Sequence, residues 1–153
     1  MTQSIQLALL AKHVTLAEKA SRWLRRSFMQ CEKVTIGNSI SDDDFDKLEV
    51  LASRFARLSD ILVQKLFRMI DTLQLEAVGS TIDIINRAEK RGLCAPNKMR
   101  MIRELRNKIA HEYADSDLLA LYSEIRAVTP DLLDSYNQTL DFVTGQFLAG
   151  KAD

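Results

Sequence analysis

The sequence predicts an all-α fold, an up-and-down bundle of about five helices. Three observations predict it. Apolar residues recur at three-and-four spacing through long stretches of the chain. No segment of any length alternates apolar and polar residues as a half-buried strand does. Finally, 153 residues contain only five glycines and two prolines, too little turn material for many short elements.

The first helix is read over residues 4–30. Leu9, Leu16 and Trp23 fall seven apart with Ile5, Ala20 and Leu24 alongside, so one face is apolar. The run Thr35-Ile36-Gly37-Asn38-Ser39 breaks it. Ser41 then supplies a capping hydroxyl, and Asp42, Asp43 and Asp44 place carboxylates at the positive end of the next helix dipole. That second helix is read from about 42 to 75, with Leu48, Leu51, Phe55, Leu58, Leu62, Met69 and Leu73 as its core seam. Another stripe of it carries Lys47, Arg54, Arg57, Gln64 and Arg68. This stripe is either a phosphate-tracking edge or a solvated face on which Arg57 pairs with Asp60.

Ser80 is read as the cap of a third helix over about 81–91, stopped by Gly92. Pro96 suits the first turn of a fourth, whose buried face is Met99, Ile102, Leu105 and Ile109, leaving Arg103, Arg106 and Asn107 off it. Asp115 or Ser116 opens a further helical piece through Arg126. Thr129-Pro130 caps and starts a last helix to about Leu148, with Leu133, Leu140 and Phe147 seven apart. There is no internal repeat. The length fits one domain, 1–153, with its core over about 4–148.

Composition bounds the function. Hydrophobic residues make up 46% and charged residues 27%, the balance of a globular chain able to bury a core. Formal net charge is zero, so the whole molecule is not a polyelectrolyte binder. The charge is polarised nonetheless. Residues 87–108 hold eight cations against two carboxylates, and residues 112–153 hold eight carboxylates against two cations. Such blocks are two solvated faces, or a local anion site beside a surface for a complementary partner. Cys31 and Cys94 stand alone, so neither a zinc site nor a disulfide framework is expected. The first residues lack a basic region and a cleavage site, and no apolar run reaches membrane-spanning length. A cytoplasmic protein with reduced thiols and no cofactor is expected.

The chemistry concentrates in Arg106-Asn107-Lys108-Ile109-Ala110-His111-Glu112-Tyr113. Arginine can clamp a phosphate, and histidine can move a proton near neutral pH. Neither task requires a metal. On an ideal helix Arg106 and His111 lie about 140° apart, so they share no face unless the helix bends or ends near Ala110. A second copy across a two-fold axis would remove that obstacle, which argues for a composite site at a dimer interface. His13 sits in the first helix with no polar cluster and is read as structural or surface. No zinc-helix motif, glycine-rich phosphate loop or serine-nucleophile elbow occurs.

The longer string Arg103-Glu104-Leu105-Arg106-Asn107-Lys108-Ile109-Ala110-His111-Glu112-Tyr113 resembles the signature of HEPN domains (higher eukaryotes and prokaryotes nucleotide-binding): Arg, a polar residue, three more, then His. The His-x-Tyr ending is similar to the HepT-like toxin branch paired with minimal nucleotidyltransferase antitoxins in type VII toxin–antitoxin systems. Ser53-Arg54-Phe55-Ala56-Arg57-Leu58-Ser59-Asp60, Leu66-Phe67 and Asn86-Arg87-Ala88-Glu89-Lys90-Arg91-Gly92 also resemble that branch, so the likeness covers most of 45–145.

The resemblance implies a HEPN-like dimeric bundle acting as a metal-independent endoribonuclease toxin. By it, His111 is the general acid/base for attack of a ribose 2′-hydroxyl on phosphorus, Arg106 holds the phosphate, and Asn107 orients His111 or that phosphate. The products would end in a 2′,3′-cyclic phosphate. Arg103, Lys108, Arg54 and Arg57 would be the further RNA or phosphate contacts. Tyr113 is either a phenol packed at the helix end or, by the resemblance, the acceptor of AMP from the partner nucleotidyltransferase. Added AMP would bring bulk and negative charge to the basic site. Two other readings use the same residues. One is a non-catalytic nucleotide- or substrate-binding subunit of a nucleotidyltransferase complex; the other is a helical adaptor whose motif packs a dimer.

Overall fold

A computed structural model describes residues 2–77, 79–111 and 115–149, with backbone only for Asp115 and Ser116. Every element in it is helical: α1 (Gln3–Cys31), α2 (Asp42–Ile61), a π-helical segment (Leu62–Phe67), α3 (Arg68–Leu73), α4 (Thr81–Lys90), α5 (Lys98–Ile109), α6 (Asp115–Val143) and a terminal π-helical turn (Thr144–Leu148). Helix α2, the π segment and α3 run on without a break in helical backbone, so the bundle has five rods.

The helix starts follow from local chemistry. Ser41 accepts the Asp44 amide N–H, and Asp42, Asp43 and Asp44 lie on the positive end of α2. Ser80 and Asp83 form a reciprocal capping box at α4. Gly92 closes α4 with φ +77, its N–H bonded to the Glu89 carbonyl and that of Leu93 to the Ala88 carbonyl. The same closure ends α3, but there a leucine, Leu75, occupies the left-handed position. Helix α1 has no cation in its last turn. Arg126 of α6 supplies one, donating to the Cys31 and Val34 carbonyls at 2.9 and 2.6 Å.

Helix α2 is central: it packs on α1, α5 and α6, and the π segment continues its core onto α1 and α4. It runs antiparallel to α1, since Cys31 meets Lys47 and Ser27 meets Arg54. Phe55, Leu58, Leu62, Val63 and Ile70 are fully buried along this rod. Both cysteines are free and buried, and burial pushes the Cys94 thiol up to about 11. Among the described residues, no helix is long and apolar enough to cross a membrane.

Three expectations are corrected. The row Leu9, Leu16, Trp23 is not the core row of α1. Leu10, Ala17, Leu24 and Cys31 are, while Leu16 and Trp23 are 41% and 48% exposed. Small Ala17, Ala20, Ser21 and Ser27 let α2 and α6 approach α1 on that side, whereas Lys12, Lys19 and Arg26 flank the other row. The pieces over 115–126 and 129–148 are one helix, with Pro130 inside it. Pro130 is exposed, and its ring leaves the Arg126 carbonyl without the usual helical N–H. Buried Ile125, Val128, Leu132 and Leu133 hold the helix together across the break. Pro96 precedes α5 rather than entering it. The Lys98 N–H donates to the Ala95 carbonyl, and Asn97 at φ 64 completes a type II turn.

Candidate functional site

Helix α5 presents the signature residues. Met99, Ile102 and Leu105 are buried, which anchors one face and turns Arg103 and Arg106 toward α2 and Asn107 and Lys108 to solvent. Arg106 reaches Asp60 of α2 through two parallel bonds, Nε to Oδ1 at 2.7 Å and Nη2 to Oδ2 at 3.0 Å. Arg103 shares the same carboxylate, Nη1 to Oδ1 at 2.7 Å, and donates to the Ser59 hydroxyl at 3.0 Å. Asp60 therefore pairs with two arginines of α5 and not with Arg57, which corrects the expected Arg57–Asp60 pair, while Lys47, Arg57, Gln64 and Arg68 of that stripe are exposed. Arg57 is exposed and makes no ion pair among the described residues.

This triad has a clear electrostatic balance. Partial burial opposes ionisation of Asp60, but the hydrogen bonds from Arg106 and Arg103, aided by their charges, outweigh it and hold the carboxyl below its usual range. The bond to Asp60 in turn tightens the proton on Arg106 against the effect of burial. A bidentate pair fixes the plane of the guanidinium. It engages Nε and Nη2, and the Nη1 hydrogens make no bond among the described residues. Asp60 thus aims a cation whose remaining donors suit a phosphate.

The end of α5 sets His111. The last turn tightens: the Ala110 N–H donates to the Asn107 carbonyl at 3.2 Å and the His111 N–H to the Lys108 carbonyl at 3.1 Å. The helix closes at Ala110, and His111 stands exposed in the bend beyond it. The ideal-helix separation of Arg106 and His111 therefore does not apply, because His111 is outside the helix. That separation no longer argues for a two-chain site. The His111 imidazole makes no hydrogen bond among the described residues, so it is accessible to a ligand. Tyr113 lies outside the described residues.

The other candidate cations divide. Lys108 and Arg57 are exposed, and Arg54 is bound to α1, donating to the Trp23 carbonyl at 3.2 Å and the Ser27 hydroxyl at 2.7 Å. The basic block over 87–108 is largely paired within the molecule. Arg87 and Arg91 hold buried Asp71, Lys98 meets Asp131, and Arg103 and Arg106 hold Asp60. Among the described residues, no three His, Cys, Asp or Glu side chains come together as a metal-holding group.

Sequence reasoning placed Asp60 beside Arg57 and missed its partners on α5. One signal was available: Asp60 is the only carboxylate between 50 and 70, among Arg54, Arg57, Lys65 and Arg68. A lone carboxylate among cations on a packed helix marks a charge that needs fixed partners.

No curated protein and no solved structure matches the chain. A family model does, described as ribonuclease HepT-like, over residues 17–138. The matched stretch takes in the central helix, the Asp60 clamp and the signature itself, and the chain belongs to the HepT-like ribonuclease family.

Proposed function

We propose that this protein is a metal-independent endoribonuclease, the toxin of a toxin–antitoxin pair. The observation that carries the reading is the Asp60 clamp on Arg106, two bonds that aim a guanidinium of the same helix whose end carries the exposed His111. A phosphodiester needs little more. His111 takes the proton of a ribose 2′-hydroxyl, the 2′ oxygen bonds to the adjacent phosphorus, and the bond to the 5′ oxygen breaks as that oxygen is protonated. Arg106 holds the non-bridging oxygens as their charge builds. Asn107 orients the phosphate or the imidazole. The products are a 2′,3′-cyclic phosphate and a 5′-hydroxyl. Two copies of the chain face each other in the active species, each site drawing Arg106 from one copy and His111 from the other, and solvent protonates the departing 5′ oxygen. Lys108 and Arg57 contact RNA phosphates, with Arg103 and Arg54 behind them.

A nucleotidyltransferase antitoxin controls the enzyme by transferring AMP to Tyr113. The added phosphate and base compete with RNA for Arg106 through occupancy and charge. Intact mass tests this step. Co-expression with the neighbouring nucleotidyltransferase gene adds one or more AMP units, and Tyr113→Phe removes the addition.

Cleavage of RNA in EDTA by the wild type, abolished in His111→Ala and in Arg106→Ala, tests the nuclease. One observation favours a second reading: Arg103 and Arg106 are both already engaged by Asp60, as in a structural ion pair. The chain would then be a nucleotide-binding subunit of a nucleotidyltransferase complex. It would bind nucleotide in a stable heteromer and cleave nothing.

A further inference from the structure

We propose that the C-terminal half of α1 and the adjoining turns of α2 form a platform for single-stranded RNA, with a base stacked on Trp23 and its flanking phosphates held by Arg22, Arg26 and Arg57. This rests on the ribonuclease reading and extends it to where the substrate strand lies.

Trp23 is the only tryptophan of the chain, and nearly half of it is open to solvent. A large aromatic so exposed on a packed helix loses the burial that normally holds it. It is nevertheless held in place. The Arg54 guanidinium lies 4.9 Å from the ring centroid and is itself tied to the Trp23 carbonyl and the Ser27 hydroxyl. The Arg26 guanidinium lies 5.8 Å from the same ring. Exposed Arg22 and Arg25 and exposed Met29 complete an open concavity around it.

The charge here is uncompensated. Helix α1 carries Lys12, Lys19, Arg22, Arg25 and Arg26 against Glu18 alone. Burial, and then the neighbouring charges of Arg26 and Arg57, make Arg54 release its proton more readily than a free arginine. Like charges held together around an exposed ring match a chain of phosphates and bases. They disfavour a second copy seated by α1, since a two-fold contact would set one cationic helix on another.

The platform also leads to the candidate site. Arg54, Arg57 and Asp60 follow at three-residue steps on α2, each about 4.5 Å further along and about 60° short of a full turn. Asp60 is the residue that holds Arg106. A strand stacked on Trp23 and crossing Arg57 is thereby delivered to the Arg106 guanidinium.

Trp23 emission reports on the platform directly. The test titrates full-length His111→Ala in EDTA with a single-stranded oligoribonucleotide of about 12 nucleotides. Saturable quenching is expected, with the same Kd by anisotropy of labelled RNA. Adding Trp23→Ala weakens that Kd about ten-fold or more, while Trp23→Phe, which keeps a stacking face, restores most of it. Arg22→Ala and Arg26→Ala each lower the salt slope of binding by about 0.7. Unchanged emission on adding RNA, or an unchanged Kd in both Trp23→Ala and Arg26→Ala, overturns the platform. So does emission that responds to protein concentration or to an acidic protein and not to RNA. Wild-type cleavage is measured beside it. Cleavage without any Trp23 response sinks the platform alone, whereas RNA quenching of Trp23 without wild-type cleavage supports the platform and sinks the nuclease.

Discussion

Asp60 is one carboxylate shared by two arginines, and it decides how Arg106 is presented. Replacing it with asparagine keeps the shape and removes the charge. Asp60→Asn should cost about 1–2 kcal/mol at neutral pH by urea unfolding, a modest figure because the side chain is 38% exposed. It should also slow RNA cleavage about ten- to a hundred-fold, because Arg106 loses its aim. The pH dependence has a fixed sign. The folded carboxyl sits below its ordinary value, so its contribution is complete above about pH 4 and disappears as pH falls through the lowered value. The stability gap between wild type and Asp60→Asn should therefore close on acidification, and a gap that widens in acid would contradict the assignment. At this scale the sequence was legible where residues act locally. Arg106, Asn107 and His111 are marked by the local string's resemblance to the HEPN signature, which lies within a few residues of sequence. The Asp60 clamp joins residues 46 apart, and only the packing of α5 on α2 brings them together.

The helices show the same division. Ser41, Ser80 and Gly92 were readable as caps and stops because a cap is made within a few residues. The core face of α1 was not, because Leu9, Leu16 and Trp23 lie directly beside Leu10, Ala17 and Leu24 and both rows repeat every seven residues. Periodicity alone cannot choose between two adjacent apolar rows; close approach of α2 and α6 chose the one with small residues. Leu24→Ala should therefore cost about 2–5 kcal/mol and Leu16→Ala less than about 1 kcal/mol, read from unfolding midpoints. Equal losses would put the face elsewhere. Leu75 tests the end of α3. It is 92% exposed at φ 60, a left-handed backbone that a leucine side chain disfavours. Leu75→Gly should raise stability by about 1 kcal/mol, the relief of strain exceeding the extra entropy that glycine loses. A lower midpoint would show that the leucine makes a contact worth more than the strain. The single helix across Pro130 also escaped sequence reading, because burial on both sides outweighed a residue that usually starts or stops a helix.

For the whole molecule, zero net charge conceals how the charges are spent. Five of the eight cations over 87–108 are held internally by three carboxylates, Asp71, Asp60 and Asp131, contributed by α3, α2 and α6. That pairing was not legible from charge counts, which record residues without their neighbours. Exposed cations remain on α1, on α2, at the end of α4 (Lys90) and on α5 (Arg100 and Lys108), and the proposed substrate path runs over those of α1, α2 and the end of α5. If two chains share each site, mixing inactive Arg106→Ala with inactive His111→Ala should regain about a quarter of wild-type cleavage, as random exchange re-forms some complete sites. No recovery under conditions where subunits exchange would place Arg106 and His111 of each site on one chain. The central claim is that Arg106 and His111 carry metal-independent transesterification of RNA. Its most direct test is cleavage of single-stranded RNA by purified protein in EDTA, with product ends read by mass. The account predicts 2′,3′-cyclic phosphate ends and losses of about a hundred-fold or more in both His111→Ala and Arg106→Ala. Cleavage equal to wild type in both variants, or products lacking the cyclic phosphate, would contradict it.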